Sequence, residues 1–323
     1  MPNLTYAQGA MPSYPGQWGI NWTSRGAKVA GTDGRVFYVQ PNATLAVDDG
    51  NTGEDAMYPF LTVTAALARC EANRGDVILV GSNDAWQYGG GSSWRTHIAE
   101  NAIVDVEGVT ILGISPDSLG VPWEPATNGG TCLTINALGV EIAGFLFQDV
   151  TWSAGRGISC VWDGVTVWGE NVHIHDCFFD GSIDDAIVLE YSWNNLIQDC
   201  QFQSNEYGIY SAPGGSGFAY NVIERCLFRD CSIGAISALG GADDNTVRDC
   251  WVFNANALAG GAATDEGFDF TGGDANLVDN CSFTCVLPVA APGDFDDLNT
   301  SGGATNAWIN CHCLNGPTTT NPT

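Results

Sequence analysis

A short pattern of hydrophobic and polar positions returns along the second half of the chain. Its fullest form, Asn-Leu-Ile-Gln-Asp-Cys-Gln-Phe, covers residues 195–202 and places apolar side chains at Ile197, Cys200 and Phe202. The frame recurs four times downstream with Asn at its start, and once upstream, at 172–179, without that Asn in register. Successive cysteines of the frame are 23 to 31 residues apart. A repeat of this length is typical of solenoids, propellers and arrays.

Each copy predicts two short strands, because apolar and polar positions alternate on both sides of a tight turn. The turn falls at residues such as Gln198 and Asp199, and Asp and Asn tolerate left-handed backbone angles. Another apolar run follows most copies, as in 185–189 and 234–237. About three short strands in roughly 25 residues favour one coil of a parallel β-helix, whose coils stack about 4.8 Å apart.

Stacked coils would align equivalent side chains in columns. The repeated Asn predicts a polar ladder at one corner, where each amide bonds to the next, and the repeated Cys predicts a column of small inward-facing side chains. Followed backward through 140–147, 109–114 and 77–80, the frame gives about nine coils. The ladder is Asn195, Asn221, Asn245, Asn276 and Asn306, and the cysteine column is Cys177, Cys200, Cys226, Cys250, Cys281 and Cys311.

Four segments follow from this pattern. Residues 1–35 mix aromatic residues with Pro, Gly and Ser, which predicts an extended arm that docks on a partner or packs along the rod. Residues 36–75 predict a strand and a short amphipathic capping helix, with Pro59 suited to its start. Residues 76–314 form the β-helix, and 315–323 a flexible tail. The aromatic docking residues of the arm are Tyr6, Tyr14, Trp18 and Trp22.

The charge balance is one-sided, with 37 Asp and Glu against 10 Lys and Arg and a net charge of −27. Such a surface argues against nucleic acid and against anionic membrane surfaces as partners. No apolar run reaches the roughly 18 residues of a membrane span. Because the N-terminus lacks a basic region followed by an apolar core, we expect no secretory signal peptide and synthesis in a host cytoplasm.

The 12 cysteines favour free buried thiols over disulfides. Stacked neighbours lie close enough to bond, but their parallel Cβ vectors give poor disulfide geometry. The pairs Cys281/Cys285 and Cys311/Cys313 lack the spacing of a closed zinc site. His173 and His175 alternate along one strand, so both are expected to face solvent on the same side, and two histidines alone make a weak metal site. We predict no metal and no cofactor.

A family resemblance rests on the opening of the chain and on the coils. The stretch from Phe37-Tyr-Val through Asp48-Asp-Gly-Asn and Pro59-Phe-Leu-Thr-Val to Gly75-Asp-Val-Ile-Leu-Val80, with the Asn-x-Ile-x-Asp-Cys-x-Phe coils, resembles right-handed parallel β-helix proteins of the pectin-lyase-like superfamily. The resemblance covers about 36–313 and implies an all-β, right-handed parallel β-helix. That superfamily includes polysaccharide lyases and hydrolases, bacteriophage tail spikes and capsid decoration proteins.

Candidate catalytic residues are few. Asp184-Asp185 resembles the paired Asp of polygalacturonases, and a glycoside hydrolase needs two carboxylates set about 5 to 9.5 Å apart. The other polygalacturonase motifs are absent, and a turn before a strand explains the pair more simply. Residues Arg225, Arg229 and Arg248 lie beside acidic residues, which fits a lyase site or, more simply, exposed salt links. No catalytic residue is predicted.

Two functions of different class follow. The first is a virion structural protein, a bacteriophage capsid decoration (auxiliary) protein that stands on the major capsid protein shell as a homotrimer, attached through its N-terminal arm. The alternative is a polysaccharide-binding or polysaccharide-degrading protein, such as a tail spike, a lyase or a glycoside hydrolase, with a glycan as partner. One fold hosts many functions, so the choice depends on the site.

Overall fold

The structure is a computed structural model that describes residues 34–41, 43–81, 98–115, 120–148, 155–162, 164, 168–181, 183–211, 217–238, 241–253, 267–270, 273–284 and 306–314. The chain winds into a parallel β-helix whose strands all pair in parallel with the equivalent strands of neighbouring coils. Three long sheets form the sides of the rod, and a short fourth sheet lies at one corner. The all-β solenoid predicted from the repeat is confirmed.

The strands divide by sheet as follows. The first sheet holds Val36–Val39, Val77–Gly81, Thr110–Ile114, Glu141–Ala143, His173–His175, Leu196–Gln198, Val222–Glu224, Thr246–Arg248, Leu277–Asp279 and Ala307–Ile309. The second holds Ile98–Ala99, Val121–Glu124, Phe145–Phe147, Phe178–Asp180, Gln201–Gln203, Leu227–Arg229, Trp251–Phe253, Ser282–Thr284 and His312–Leu314. The third holds Ala102–Val104, Thr131–Ile135, Gly155–Cys160, Ile183–Leu189, Tyr207–Ser211, Gly234–Ala238 and Phe268–Asp269, and the fourth Ser192–Trp193, Phe218–Ala219 and Ala242–Asp243.

The number of turns differs slightly from the nine coils expected. The seven strands of the third sheet span about six turns of the helix. The last two coils contribute strands to the first and second sheets, beginning at Leu277 and at Ala307. Among the described residues, neither coil adds a following strand to the third sheet.

The core consists of stacked columns that repeat from coil to coil. Ile174, Ile197 and Ile223 lie in register and are fully buried. Across the rod, the ring of Phe202 stacks between those of Phe179 and Phe228, with centroids 5.0 and 4.6 Å away and planes within 5° of parallel. Burial of this much aromatic and aliphatic surface is the main favourable term in folding.

The corner between the first and second sheets uses one backbone conformation throughout. Gly144 has a φ of +78°, and a side chain there would collide with the carbonyl oxygen of Gly113. Later coils place mostly Asp or Asn at the equivalent position, because these residues adopt left-handed angles at low cost. The left-handed residues, with φ between 51° and 55°, are Asp176, Asp199, Arg225, Asp249, Asn280 and Asn310.

The repeated Asn side chains form a continuous hydrogen-bonded ladder. Each side-chain Nδ2 donates to the Oδ1 of the next Asn, at 2.9 Å from Asn195 to Asn221 and 3.0 Å from Asn221 to Asn245. The same Oδ1 atoms also accept the backbone N–H of the preceding Asn, at 3.0 and 2.9 Å. Bonds of the same kind join Asn245 to Asn276 and Asn276 to Asn306. The amides therefore satisfy a buried corner that backbone pairing alone leaves open.

The helix before the first complete coil is shorter than its apolar spacing predicts. It spans Val63–Leu67 and begins after Thr62, whose hydroxyl accepts the N–H of Ala65 at 3.1 Å. The expected start at Pro59 is wrong, because Phe60 continues the sheet by pairing with Val39. The helix packs against the N-terminal strands of the first sheet. Among the described residues, no helix has the length and apolar character needed to cross a membrane.

Ten cysteines of the described residues are free thiols, and eight of these are buried. Cys200 and Cys226 each direct Sγ toward a backbone oxygen of the neighbouring coil, at 3.8 Å. Burial raises the pKa of the Cys160 and Cys231 thiols to about 12, so these two groups are neutral. Cysteines buried in this way act as small hydrophobic residues.

Candidate functional site

The sequence suggested that Asp184 and Asp185 lie in a turn before a strand, but they do not. Both belong to the strand Ile183–Leu189 of the third sheet, because the extended backbone there pairs with strands on both sides. Asp185 is opposite Arg156 on one neighbouring strand and Tyr207 on the other. The pair is thus part of a cross-strand row at the surface of the sheet.

We call this row, with its neighbours, the acidic cluster; it comprises Arg156, Asp184, Asp185, Glu206 and Tyr207. The Asp185 carboxylate lies 3.4 Å from the Arg156 guanidinium, whose side chain is 41% exposed. Burial raises the pKa of Asp185 to about 6, Arg156 opposes that shift, and Glu206 and Asp184 add to it. Burial and the charge of Asp184 also raise the pKa of Glu206. One carboxyl group can therefore keep its proton near neutral pH beside others.

Four aromatic residues form a second cluster, the aromatic patch, at the corner that follows the third sheet. The rings of Trp162 and Trp168 stack with centroids 5.2 Å apart, and Trp193 lies 4.8 Å from Trp168. Tyr191 meets Trp162 and Trp168 edge-on, at 5.9 and 6.0 Å. Trp162 is 40% exposed and the other three are half-buried. Large aromatic faces held open to solvent mark a binding surface more often than a packing need.

The two clusters are connected along one strand. Asp185 and Leu189 are about 13 Å apart at ~3.3 Å per residue, and Tyr191 follows two residues later. Tyr210 lies between the clusters, since it pairs with Val188 and its ring stacks on that of Tyr207 at 4.7 Å. Burial and then the charge of Asp185 raise the pKa of Tyr210. An elongated strip thus runs from carboxylates at one end to aromatic rings at the other.

Two histidines and a glutamate meet on another face of the rod, the outer side of the first sheet. His173 pairs with Glu141 across neighbouring strands, and both histidines flank the inward Ile174. Their ligand-type atoms all lie within 4.8 Å of one another. The two imidazole rings are 4.2 Å apart. The shared face of the histidines agrees with the alternation, but solvent exposure of both does not, because His175 is only 2% exposed.

Hydrogen bonds orient the His175 ring. Its Nδ1 is 2.8 Å from Asp176 Oδ2, and its Nε2 is 3.1 Å from Glu141 Oε1. Burial alone would lower the pKa of His175, but these two carboxylates outweigh it and raise the pKa to about 9. Burial and the neighbouring His175 lower the pKa of His173 to about 4. The buried Nε2 of His173 has no hydrogen-bond partner among the residues that the structure describes.

The arginines beside acidic residues form ion pairs at the surface. Arg225 binds Asp199 at 3.0 Å and Arg229 binds Asp230 at 3.1 Å. Arg248 Nε donates to Glu224 at 2.6 Å. These contacts fit exposed salt links, the simpler of the two interpretations of the arginines. They engage the guanidinium groups that a lyase site would need for its substrate.

The remaining predicted site residues lie outside the described residues. These are the aromatic docking residues of the arm, Tyr6, Tyr14, Trp18 and Trp22. Cys285, from the pair Cys281/Cys285, also lies outside the described residues.

Sequence reasoning missed the aromatic patch and the complete histidine cluster. Trp162 and Trp168 fall in a stretch without the repeat, and Trp193 comes from the next coil. Glu141 is 32 residues before His173, so only the coil register brings them together. A useful signal was available: extending the frame to 140–147 aligns Glu141 with His173.

Comparison with known proteins agrees on the fold. The family model described as "Right handed beta helix region" matches residues 97–283. No curated protein matches the chain significantly by sequence. Similar solved structures include a rhamnogalacturonan lyase, with a TM-score of 0.47, 16% identity, and coverage of 78% of this chain and 69% of the lyase.

Two further structures show the same likeness. An alginate lyase from Paenibacillus sp. str. FPU-7 has a TM-score of 0.47 and 15% identity, with 79% of this chain and 93% of the lyase covered. ORF18 of Geobacillus virus E2 has a TM-score of 0.42 and 11% identity, with 86% of this chain and 62% of that chain covered. Since the family model spans more than half of the 323 residues, the chain belongs to the right-handed β-helix family.

Proposed function

We propose that this β-helix protein binds a polysaccharide along the strip that joins the acidic cluster to the aromatic patch. The observation that carries the proposal is the aromatic patch itself, four contacting rings at one corner with Trp162 40% exposed. Such rings present broad apolar faces that match the C–H faces of sugar rings. A surface that combines apolar faces with a few placed polar groups is typical of ligand sites.

The acidic cluster supplies the polar part of the site. The carboxylates of Asp184, Asp185 and Glu206 can accept hydrogen bonds from sugar hydroxyls, and the Arg156 guanidinium can donate them. The strip's length, more than about 13 Å by the strand spacing, accommodates several sugar units rather than one. An extended chain is therefore a better ligand than a monosaccharide.

Charge narrows the class of polysaccharide. The protein carries a net charge of −27, and three of the polar side chains in the strip are acidic. Anionic chains would be repelled, whereas neutral or amino-sugar polymers would not. We therefore place neutral and cationic glycans first among the ligands.

The test is a polysaccharide panel probed with the full-length protein by affinity electrophoresis. We expect retardation by at least one neutral or amino-sugar polymer, and a loss of about tenfold or more in affinity for Trp162→Ala, equal to about 1.4 kcal/mol. Trp251→Ala is the matched control, because Trp251 is 54% exposed on the second sheet. Absence of retardation across the panel, or equal losses in both variants, would overturn the proposal.

Cleavage of the bound chain is a separate question that the same panel answers. Asp185, with its raised pKa, is suited to donate a proton to a glycosidic oxygen. If sugars are released, Asp185→Asn should abolish release while affinity electrophoresis still shows binding. Retention without release indicates a binding protein only.

A second candidate, the bacteriophage capsid decoration protein, is favoured by a different surface. On the outer side of the first sheet, four half-buried residues line up in register, three of them apolar: Leu196, Val222, Thr246 and Leu277. Ile309 is 46% exposed nearby. A mainly apolar row on so acidic a protein fits contact between copies, as in a homotrimer on the virion surface. The aromatic arm at 1–35 would then attach each trimer to the major capsid protein shell.

Two measurements test this second candidate. Light scattering should give the mass of a trimer, and Val222→Lys should reduce it to a monomer while Gln201→Lys, on the second sheet, leaves it unchanged. Deletion of residues 1–30 should abolish attachment to capsid shells without unfolding the rod. A monomeric wild-type protein or undiminished attachment would contradict the assignment.

A further inference from the structure

The strongest chemistry outside the proposed glycan strip lies on the first sheet, where Glu141, His173 and His175 converge. Both histidines come from one strand, with one residue between them, and Glu141 comes from the strand beside it. The atoms that could bind a metal ion lie within 4.8 Å of one another. Two imidazoles and one carboxylate are the ligand set of many zinc sites with one open position.

The spacing of two of these atoms already suits a shared ion. His175 Nε2 and Glu141 Oε1 are 3.1 Å apart. Two ligands that each lie about 2.1 Å from a tetrahedral zinc ion are about 3.4 Å apart. The pair therefore needs to open by only a few tenths of an ångström. The ligand-type atoms lie within 4.8 Å of one another, so the nitrogen that His173 offers must approach by at most about 1.4 Å to reach the same ligand separation. Small rotations of its side-chain torsions can supply that shift.

The outer partners of these side chains resemble those that usually support metal ligands. Asp176 Oδ2 holds His175 Nδ1 at 2.8 Å, so that His175 Nε2 points at Glu141. The hydroxyl of Thr110 donates to the second carboxylate oxygen of Glu141 at 3.2 Å. A carboxylate on the far nitrogen of a ligating histidine fixes the ring and strengthens it as a ligand.

An unexplained atom distinguishes this cluster from an ordinary buried ion pair. Glu141 and Asp176 bind both ring nitrogens of His175, but the buried Nε2 of His173 has no hydrogen-bond partner in the described part of the chain. A buried nitrogen without a partner carries a desolvation cost that a hydrogen bond or a metal ion would offset. His173 is also the partly exposed member of the three, which gives an ion a way in.

We propose that Glu141, His173 and His175 form a divalent transition-metal site, with zinc as the best-suited ion. The ion takes the place of the proton between His175 Nε2 and Glu141 Oε1, and it provides the partner that His173 Nε2 lacks. Three protein ligands leave a fourth position for water or a ligand. The ion would join two adjacent coils on a face separate from the glycan strip.

The experiment is a titration of chelator-treated, full-length protein with zinc alone, followed by calorimetry, and with cobalt(II) alone, followed by its visible absorption. We expect one high-affinity ion per chain, and a loss of tenfold or more in affinity for His173→Gln. That variant leaves the His175 pair with Glu141 and Asp176 in place, so it should stay folded. His312→Gln is the matched control, since His312 is exposed on the second sheet.

Cobalt separates this site from the cysteines of the chain. Coordination by imidazole and carboxylate gives ligand-field bands without the intense charge-transfer band of a thiolate–cobalt bond. A zinc-dependent rise in melting temperature that His173→Gln loses would give a second readout. The proposal is overturned by no binding in the wild type, by unchanged affinity in His173→Gln, or by a thiolate band. Each of these results is independent of glycan binding.

Discussion

The inside of the rod and its outer faces are built from the same coils, but side-chain contacts repeat from coil to coil only on the inside. Inside, the Asn ladder and the phenylalanine stack repeat one contact from coil to coil, at nearly constant distance. Outside, the acidic cluster, the aromatic patch and the histidine cluster each occur once among the described residues. Because each coil must pack against its neighbours, the inward-facing residue types repeat from coil to coil. The outward-facing residue types can differ between coils.

The largest expected effect comes from breaking the phenylalanine stack. Phe202 is fully buried between two rings, so Phe202→Ala leaves a cavity and should cost about 3 to 5 kcal/mol in the free energy of unfolding. Denaturant titration with circular dichroism measures the cost. Gln201→Ala, one residue away on the outer side, should cost less than about 0.5 kcal/mol. A similar small cost for both would mean that the stack does not hold the rod together.

Breaking the polar ladder should cost somewhat less. Asn221→Ala removes the oxygen that accepts two N–H groups of Asn195 and the donor to Asn245. Leaving buried amide groups unpaired should lower the free energy of unfolding by about 3 kcal/mol. The same denaturant titration measures it, again against Gln201→Ala. A loss below about 1 kcal/mol would show that water replaces the amide.

The smallest effect concerns the acidic cluster and depends on pH. Because the folded protein raises the pKa of Asp185 to about 6, from 3.8, this carboxyl contributes its full stability below about pH 4 and loses it as the pH rises through 6. Asp185→Asn should therefore be more stable than the wild type by about 1 kcal/mol at pH 8, reduced by the loss of the Arg156 pair. This advantage should disappear toward pH 4.

Thermal unfolding at pH 4, 6 and 8 measures that difference. Asp244→Asn, at an exposed position, controls for the loss of one negative charge. An advantage of Asp185→Asn that is constant over the three pH values, or that grows toward acid, contradicts a raised pKa.

The same contrast explains what the sequence could predict. The spacing of Ile197, Cys200 and Phe202 was enough to predict the strands, the stacking and the inward columns, because each position recurs and its neighbours in space are its own copies. The outer clusters join residues from different coils that share no pattern. Trp168 and Trp193 meet only because of the exact coil register, which variable loops conceal in the sequence.

Where local reasoning failed, the cause was packing across coils. The helix begins at Val63 rather than Pro59, because Phe60 pairs with Val39 and Thr62 caps the first turn. Asp185 lies in a strand although Asp is unfavourable there, since Arg156 and the neighbouring strands hold it. His175 is buried although alternation placed it outward, because Glu141 and Asp176 surround it.

The central claim is that the repeat is structural and that the unrepeated outer strip binds glycan. Its most direct test is the dissociation constant for one polysaccharide that the wild type binds, measured for wild type, Asn221→Ala and Trp162→Ala at a temperature where all three are folded. We predict that Asn221→Ala binds like the wild type despite its lower stability, and that Trp162→Ala binds at least about tenfold more weakly at unchanged stability. An equal loss of affinity in the two variants would contradict the claim.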